Sequence, residues 1–458
     1  MTSIVPYARR LKRHLSRSFA AVELFDADVI EEICRSVGHR QRARFWTPTV
    51  TILTFLRQVF QANCSCRAAV AQTLALAEAE GRSVRGDPSA YSQARQRLPR
   101  SALIMLNRRM VEEVRRQASG SQKWCGREVV VVDGLSASMP DTPDAQKAWP
   151  QPCGQKPGCG FPVLRMVAVF CWASGCLLEW AADSLHVSEL ALVRRLYHTL
   201  KAGTVVLGDT FFGSYYDLVL LRQHGLEGVF RLHQRRPTHR RVGTRLGHND
   251  QRVTWTKPVI KPRNVSDAAW ARVPETLTVR QVYIKIAIDR CRTQRLNLVT
   301  TLLDPVAYPP EKLAELYRSR WKAELNIRSL KTTLKMEVLK GQSKDMVLKE
   351  LQVYQLAYNL IRMLMWRAAT ACGIDPHGLS FAGTQQRINA FLPRLAACAS
   401  AAEYARVTIH LLEQIAADAL PDRPNRIEPR AVKRRPKNYR RLTKPRAEAR
   451  RMEYFING

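Results

Sequence analysis

Leu316-Tyr-Arg-Ser-Arg-Trp-Lys-Ala-Glu-Leu-Asn-Ile-Arg-Ser-Leu-Lys331 carries a phenol, several guanidinium groups, a carboxylate and an ammonium, with no Gly or Pro among them. The stretch predicts the middle of a helix that begins after Pro309-Pro310 and runs towards Lys340. At about 100° per residue, Tyr317, Arg320, Glu324 and Lys331 fall at roughly 0°, 300°, 340° and 320°, within an arc of about 60°. Leu316, Leu325 and Leu330 point elsewhere and are free to pack. A ribbon with that chemistry suits a metal ion meeting a phosphate. The plainer reading is a solvated face laced with (i, i+4) ion pairs.

Two upstream segments favour the first reading. Glu128-Val-Val-Val-Val-Asp133-Gly is an apolar, β-branched run that ends in a carboxylate, and Thr204-Val-Val-Leu-Gly-Asp209 repeats the design. Both predict buried strands with the Asp at the C-terminal end, where open α/β sheets place their chemistry. Three converging carboxylates, Asp133, Asp209 and Glu324, repel one another unless cations lie between them. Oxygen-only ligands favour Mg²⁺ or Mn²⁺.

With these residues in place the chain resembles the bacterial insertion-sequence transposases of the IS-four type, a branch of the DDE transposases with an RNase H-like core. Tyr317, Arg320, Glu324 and Lys331 meet that family's Tyr-x2-Arg-x3-Glu-x6-Lys signature in full. Asp133-Gly134 matches its first catalytic Asp, and Asp209 in Gly208-Asp-Thr-Phe-Phe its second. Met139-Pro-Asp-Thr-Pro-Asp through Gln155-Lys-Pro-Gly-Cys-Gly-Phe161 is typical of one family branch. The resemblance runs from about residue 30 to the C-terminus. Leu135, where many relatives carry Thr, and Thr210, where Arg or another polar residue is more usual, are departures. The resemblance implies a hairpinned DNA end as intermediate, with Tyr317 and Arg320 gripping its phosphate, and terminal-repeat binding by the N-terminal region.

Composition supports a polyanionic partner. The 458 residues hold Lys+Arg 73 against Asp+Glu 39, a formal net charge of +34, and the pI is near 10.3. Such a chain repels itself unless a polyanion neutralises it, and nucleic acid is the default. The same charge disfavours a paired-carboxylate glycosidase. Eleven cysteines are scattered without zinc-ligand spacing, which fits reduced, packed thiols in a cytoplasm. No apolar run approaches the roughly 18 residues of a membrane span. Arg9-Arg10-Leu-Lys12-Arg13 reads as a DNA-contacting arm.

Along the chain, residues 1–120 read as a helical N-terminal DNA-binding domain. One helical pattern covers Pro48 to Ala71 and another Ala102 to Arg116. Between them, a turn and a short helix expose Gln93, Arg95, Gln96 and Arg97. Those residue types make bidentate contacts to base edges, although a polar linker helix reads the same way. Residues 121–230 form the first part of the core, with a long loop from Met139 to Pro162 offering Lys147, Trp149, Gln155 and Lys156 to a DNA strand. Strands Val163–Ala173 and Cys176–Asp183 follow, then a helix from His186 to Lys201. Residues 231–305 read as a β-rich insertion in which Trp255, with Trp270 as competitor, is placed to stack on an extruded base. Residues 306–375 complete the core, and the apolar stripe Met346–Ala369, with Tyr354, Tyr358 and Trp366, reads as core or dimer interface. Residues 376–420 form a helical region. The tail 421–458 carries Lys433, Arg434 and Arg435 for a phosphate backbone.

The expected fold class is therefore an α/β RNase H-like catalytic core with a β-rich insertion, plus a helical N-terminal DNA-binding domain and a helical, basic C-terminal region. The expected function is cut-and-paste DNA transposition. Asp133, Asp209 and Glu324 would hold two Mg²⁺ ions about 3.5–4 Å apart, with Mn²⁺ as substitute, and Tyr317, Arg320 and Lys331 would position phosphates. The partners are double-stranded DNA, as terminal inverted repeats and target, and a second copy in a synaptic homodimer. The setting is a bacterial cytoplasm, at the nucleoid. The alternatives are a nuclease on the same core without strand transfer and a non-catalytic, transposase-derived DNA-binding protein.

Overall fold

The computed structural model describes residues 25–39, 45–61, 65–79, 87–117, 123–236, 242–288, 291–421 and 441–457. The basic arm at Arg9–Arg13, and Lys433, Arg434 and Arg435 of the tail, lie outside the described residues. Two compact units emerge. One gathers Met1–Val131, Ala168–Trp180 and Trp321–Leu420, and the other Val132–Val167, Ala181–Arg320 and Pro421–Gly458.

The first unit is mainly helical. Asp26, Thr47 and Asp87 cap helices Ala27–Ser36, Pro48–Phe60 and Pro88–Arg97, each accepting a backbone N–H from the first turn. The apolar pattern from Pro48 does not continue unbroken to Ala71. It stops at Gln61, and a second helix starts at Cys66. The first piece is buried on every face, which suits a run whose hydrophobicity is not confined to one stripe. The longest helix, Lys344–Cys372, is capped by Ser343 and closed by Gly373 in the left-handed region at φ +68°. It packs on Pro48–Phe60, Arg100–Gln117 and Ala401–Ala416, and buries Tyr354, Tyr358 and Trp366. That stripe is core. Buried Glu350 accepts the backbone N–H groups of Lys340 and Gly341 at 2.7–3.0 Å, which ties down the chain just beyond the Tyr317–Lys331 stretch.

The described strands form one mixed sheet, most of it in the second unit. Its strands are β1 (Val129–Ser138), β2 (Val163–Cys171), β3 (Leu177–Ser184), β4 (Val205–Gly208), β5 (Glu227–Arg231), β6 (Thr244–Gly247), β7 (Asp250–Thr256), β8 (Thr276–Ile288) and β9 (Cys291–Thr300). They run in the order β3-β2-β1-β4-β5-β9-β8-β7-β6. β4 and β5 are parallel, with Gly208 opposite Phe230. β9 returns antiparallel on β5, so the β-rich segment after Phe230 extends the same sheet. The hydrophobic alternation of β7, buried at Val253 and Trp255 and exposed at Arg252 and Thr254, is that of a strand with one covered face.

Two elements differ from their sequence expectation. β1 does not end at Asp133 but continues five residues further, to Ser138. The segment from His186 to Lys201 is not one helix. A short helix, Glu189–Arg194, gives way to a 3₁₀ turn at Tyr197–Thr199, tightened by i→i−3 bonds such as Thr199 N–H to Leu196 O. Among the described residues, no helix is long and apolar enough to cross a membrane.

Candidate active site

The stretch from Tyr317 to Lys331 is not one helix. Helix Pro310–Arg318 ends at Ser319, and helix Trp321–Arg328 starts two residues later. The break needs no Gly or Pro. Ser319 Oγ donates back to Leu316 O at 2.6 Å, and Arg320 N–H bonds Tyr317 O at 3.1 Å, so the last turn tightens and closes. A second irregularity follows. Ser329–Thr333 is a π-turn carrying Lys331. Lys335, at φ +66°, then ends the run in the left-handed region, with Met336 N–H reaching back to Leu330 O. The uniform 100° register across all four signature residues therefore does not hold. The unit boundary falls at the break: Tyr317 and Arg320 belong with Asp133 and Asp209, and Glu324 and Lys331 to the first unit.

Within the second unit the predicted residues meet. Asp133 is half-buried on β1, and its Oδ1 accepts the Gly134 N–H at 2.8 Å. Asp209 stands directly after β4. Its Oδ1 accepts the Phe211 N–H at 2.8 Å and caps a 3₁₀ turn. Arg320 Nη1 lies 3.8 Å from Asp133 Oδ2, and the Arg320 guanidinium is hydrogen-bonded to the Tyr317 phenol. Burial raises the Tyr317 pKa above the usual tyrosine range. The Asp209 carboxylate raises it further, while Arg320 and Arg231 oppose the shift. Arg320 thus stands beside both the Asp133 carboxylate and the Tyr317 phenol, and Tyr317 also feels the charge of Asp209.

Arg231 was missed by sequence reading, and its signal lies in strand pairing rather than in local sequence. β4 and β5 are parallel with Gly208 beside Phe230, so Asp209, just after β4, and Arg231, the last residue of β5, lie at the same end of the sheet. Departures from the family pattern at Leu135 and Thr210 are structurally quiet: Leu135 is buried on β1, and Thr210 opens the 3₁₀ turn.

In the first unit, Glu324 is exposed on its short helix and Lys331 half-buried on the π-turn. That helix is fixed from beneath. Buried Asn326 accepts from Arg362 Nη2, whose Nε donates to Tyr358 Oη at 3.0 Å. Lys322 Nζ lies 3.5 Å from Asp375 Oδ2. His377, whose Nε2 is 3.0 Å from Trp172 O, is pushed down to about 4 by burial first and then by Arg362 and Lys322.

Several other predicted contacts are placed differently. Arg95 is turned inward, its guanidinium 4.9 Å from both the Phe55 and Tyr91 rings and 3.4 Å from Gln58 Oε1, so it packs rather than faces DNA. Gln93, Gln96 and Arg97 remain exposed on the same helix. Trp255 is only 4% exposed, with Arg236 3.9 Å over its ring, so that face is closed to a base. Trp270 is half-buried on the short helix Asp267–Ala271, with Lys257 Nζ 5.3 Å from its ring. In the long loop Trp149 is core, at 3% exposure, whereas Lys147, Gln155 and Lys156 are exposed.

The family profile described as "Transposase DDE domain" matches residues 124–360, more than half of the chain. The chain belongs to the transposase DDE domain family. Relatives agree. Transposase InsG for insertion sequence element IS4 of Escherichia coli (strain K12) is 28% identical over 358 residues, 77% of this chain and 78% of that protein. Putative transposase InsZ of the same strain is 27% identical over 138 residues, 30% of this chain and 46% of that protein. Among solved structures, the piggyBac transposase synaptic complex with hairpin DNA matches with TM-score 0.40 and 9% identity, over 90% of this chain and 86% of that chain.

This transposase is thus an enzyme of the class that cleaves DNA and transfers strands. Members of the family use divalent metal ions. Among the described residues no three His, Cys, Asp or Glu side chains stand together as a ready site. The donor chemistry nevertheless fits a hard cation. Asp133 and Asp209 offer carboxylate oxygens alone, and a backbone N–H fixes the orientation of each.

Proposed function

We propose that this transposase moves an insertion sequence by cut-and-paste, on an RNase H-like core in which Asp133, Asp209 and Glu324 would hold two Mg²⁺ ions, Mn²⁺ being able to replace them. Bound there, the ions supply an acidified water or 3′-hydroxyl and stabilise the leaving oxygen. The observation that carries this reading is Arg320, which lies 3.8 Å from the Asp133 carboxylate and is hydrogen-bonded to Tyr317, whose phenol feels the Asp209 carboxylate. Hydrolysis at an element end forms a bond from water oxygen to phosphorus and breaks the phosphorus–O3′ bond, leaving a 3′-hydroxyl. In strand transfer that hydroxyl attacks a target phosphodiester and expels its 3′-oxygen. Arg320 offers a planar fork to the phosphate and Lys331 a point charge. Tyr317, kept protonated, donates without adding negative charge. Trp270, rather than Trp255, has a partly open ring for a displaced base. Gln93, Gln96 and Arg97 would read element ends from the helical N-terminal region, and two copies would act together in a synaptic dimer at the bacterial nucleoid. Lys433, Arg434 and Arg435 would add phosphate contacts.

The test is an assay with purified full-length protein, Mg²⁺ and a DNA carrying the inverted repeats that flank its reading frame. The expected products are a double-strand break at the repeat ends and their joining to a second DNA. Cleavage without joining would identify a nuclease; binding alone would identify a non-catalytic DNA-binding protein.

A further inference from the structure

Beyond the end of β1, the second unit contains a cleft of about 1100 Å³ between the long loop and the C-terminal segment. Lys156 and Phe161 line one side, and Arg441 and Arg446 the other. All three cations are exposed, and no described carboxylate pairs with any of them. The one acid in the wall, Asp141, is taken up by Gln146 Nε2 at 2.8 Å. Phe161 is 57% exposed, an unusual position for an aromatic side chain with nothing to cover it.

The loop is held open by its own bonds. Gln151 Nε2 donates to Gln155 O and Lys156 O at 3.1 and 2.8 Å, while its Oε1 accepts Gly158 and Gly160 N–H at 3.1 Å. Gln146 Nε2 adds a bond to Gly160 O at 3.1 Å, and Met139 N–H one to Pro162 O at 3.2 Å. Gly158, at φ +72°, lets Pro445 approach so closely that a Cβ there would stand 3.3 Å from its ring. This is a preorganised wall, not a loose connection.

We propose that the cleft is a binding site for unpaired DNA, with the backbone on Lys156, Arg441 and Arg446 and a base stacked on Phe161. The chemistry separates this ligand from a duplex. Phosphates need only the cations, whereas an exposed aromatic in a cationic groove rewards a base whose face is free. A duplex keeps those faces covered. Position agrees: β1 carries the chain from Asp133 to the loop over five residues, about 17 Å of extended strand. A few nucleotides of a single strand cover that distance. The strand held there is the one flanking the cut. The inference rests on the transposase reading for its biological meaning, but the binding itself does not.

The experiment omits divalent ions and uses full-length protein with two labelled probes: a ten-nucleotide oligo(dT) and a blunt ten-base-pair duplex. Phe161→Ala should weaken oligo(dT) about tenfold and duplex less than twofold. Phe161→Trp should restore oligo(dT) binding. Lys156→Gln and Arg446→Gln should each flatten the oligo(dT) salt slope by about 0.7. Unchanged oligo(dT) binding in Phe161→Ala, or equal loss on both probes, would overturn the proposal. Melting curves exclude unfolding as the cause. Because no cleavage occurs in this assay, its failure leaves the transposase reading standing, and absence of cleavage elsewhere leaves this site standing.

Discussion

Arg320 Nη1 and Asp133 Oδ2 lie 3.8 Å apart, with side chains only 19% and 22% exposed. A guanidinium therefore stands beside a carboxylate proposed to hold a cation. Without DNA the two cations compete for the same charge; with DNA, the guanidinium has a phosphate to turn to. Arg320→Ala should raise the affinity for Mn²⁺ in the absence of DNA, roughly threefold to tenfold. The same change should slow strand joining about tenfold to a hundredfold, the cost of one charge-assisted bond of roughly 1.5–3 kcal/mol. Mn²⁺ titration by electron paramagnetic resonance checks the first effect. If affinity falls instead, Arg320 supports the metal site rather than competing with it.

Asp133→Ala, Asp209→Ala and Glu324→Ala should each abolish cleavage and leave binding to element ends within about threefold. Metal ligands act on the reacting phosphate, whereas binding is carried by many cations over a large surface. Gel-shift and cleavage assays on one DNA decide it. Any of the three that still cuts at near wild-type rate in Mg²⁺ has been misassigned.

Much of this was legible because strand signals are local. Two Val-rich runs with an Asp at or just beyond their apolar part needed no knowledge of tertiary context, and the sheet places both as neighbours. The extent of β1 beyond Asp133 was not legible, since Gly134 and Ser136 carry weak strand preference and pairing decides there. The helix break at Ser319 was hidden because a serine hydroxyl, not Gly or Pro, closes the turn. Arg95 and Trp149 were read by residue type. Their inward orientation depends on the Phe55 and Tyr91 rings around Arg95 and on the fold of the loop, neither of which leaves a mark in local sequence. Arg231 became visible only through the parallel register.

His377 gives the helical unit an acid limit. Its folded pKa, near 4, lies below the usual histidine value of 6.5, so the folded protein binds fewer protons than the unfolded chain between those values. Stability is then highest above pH 6.5 and is lost as pH falls towards 4, by up to roughly 3 kcal/mol. His377→Gln removes the titration, so its melting temperature should fall less than that of wild type between pH 7 and pH 4.5. Parallel curves for the two proteins would show that His377 is not buried as a neutral ring.

Arg280 and Asp250 form the most enclosed ion pair in the sheet, at 0% and 2% side-chain exposure, with a bidentate geometry of 2.8 and 2.6 Å. Arg280 does more than neutralise. Its Nη1 donates to Asp304 O at 3.2 Å and Tyr308 O at 2.8 Å, the residues that lead into the Tyr317 helix. Removing one partner leaves a charge without compensation, so Asp250→Ala should destabilise this unit by roughly 3–5 kcal/mol. Replacing both, as Asp250→Leu with Arg280→Met, should recover most of that loss, because two apolar side chains need no solvation. Activity should behave differently. The double variant still removes the Arg280 N–H from the Asp304 and Tyr308 carbonyls, so the Tyr317 helix loses that anchor. Cleavage should stay at least tenfold below wild type while the melting temperature returns to within a few degrees. If activity returns together with stability, the pair is scaffolding for the sheet alone, and its link to the Tyr317 helix carries no catalytic weight.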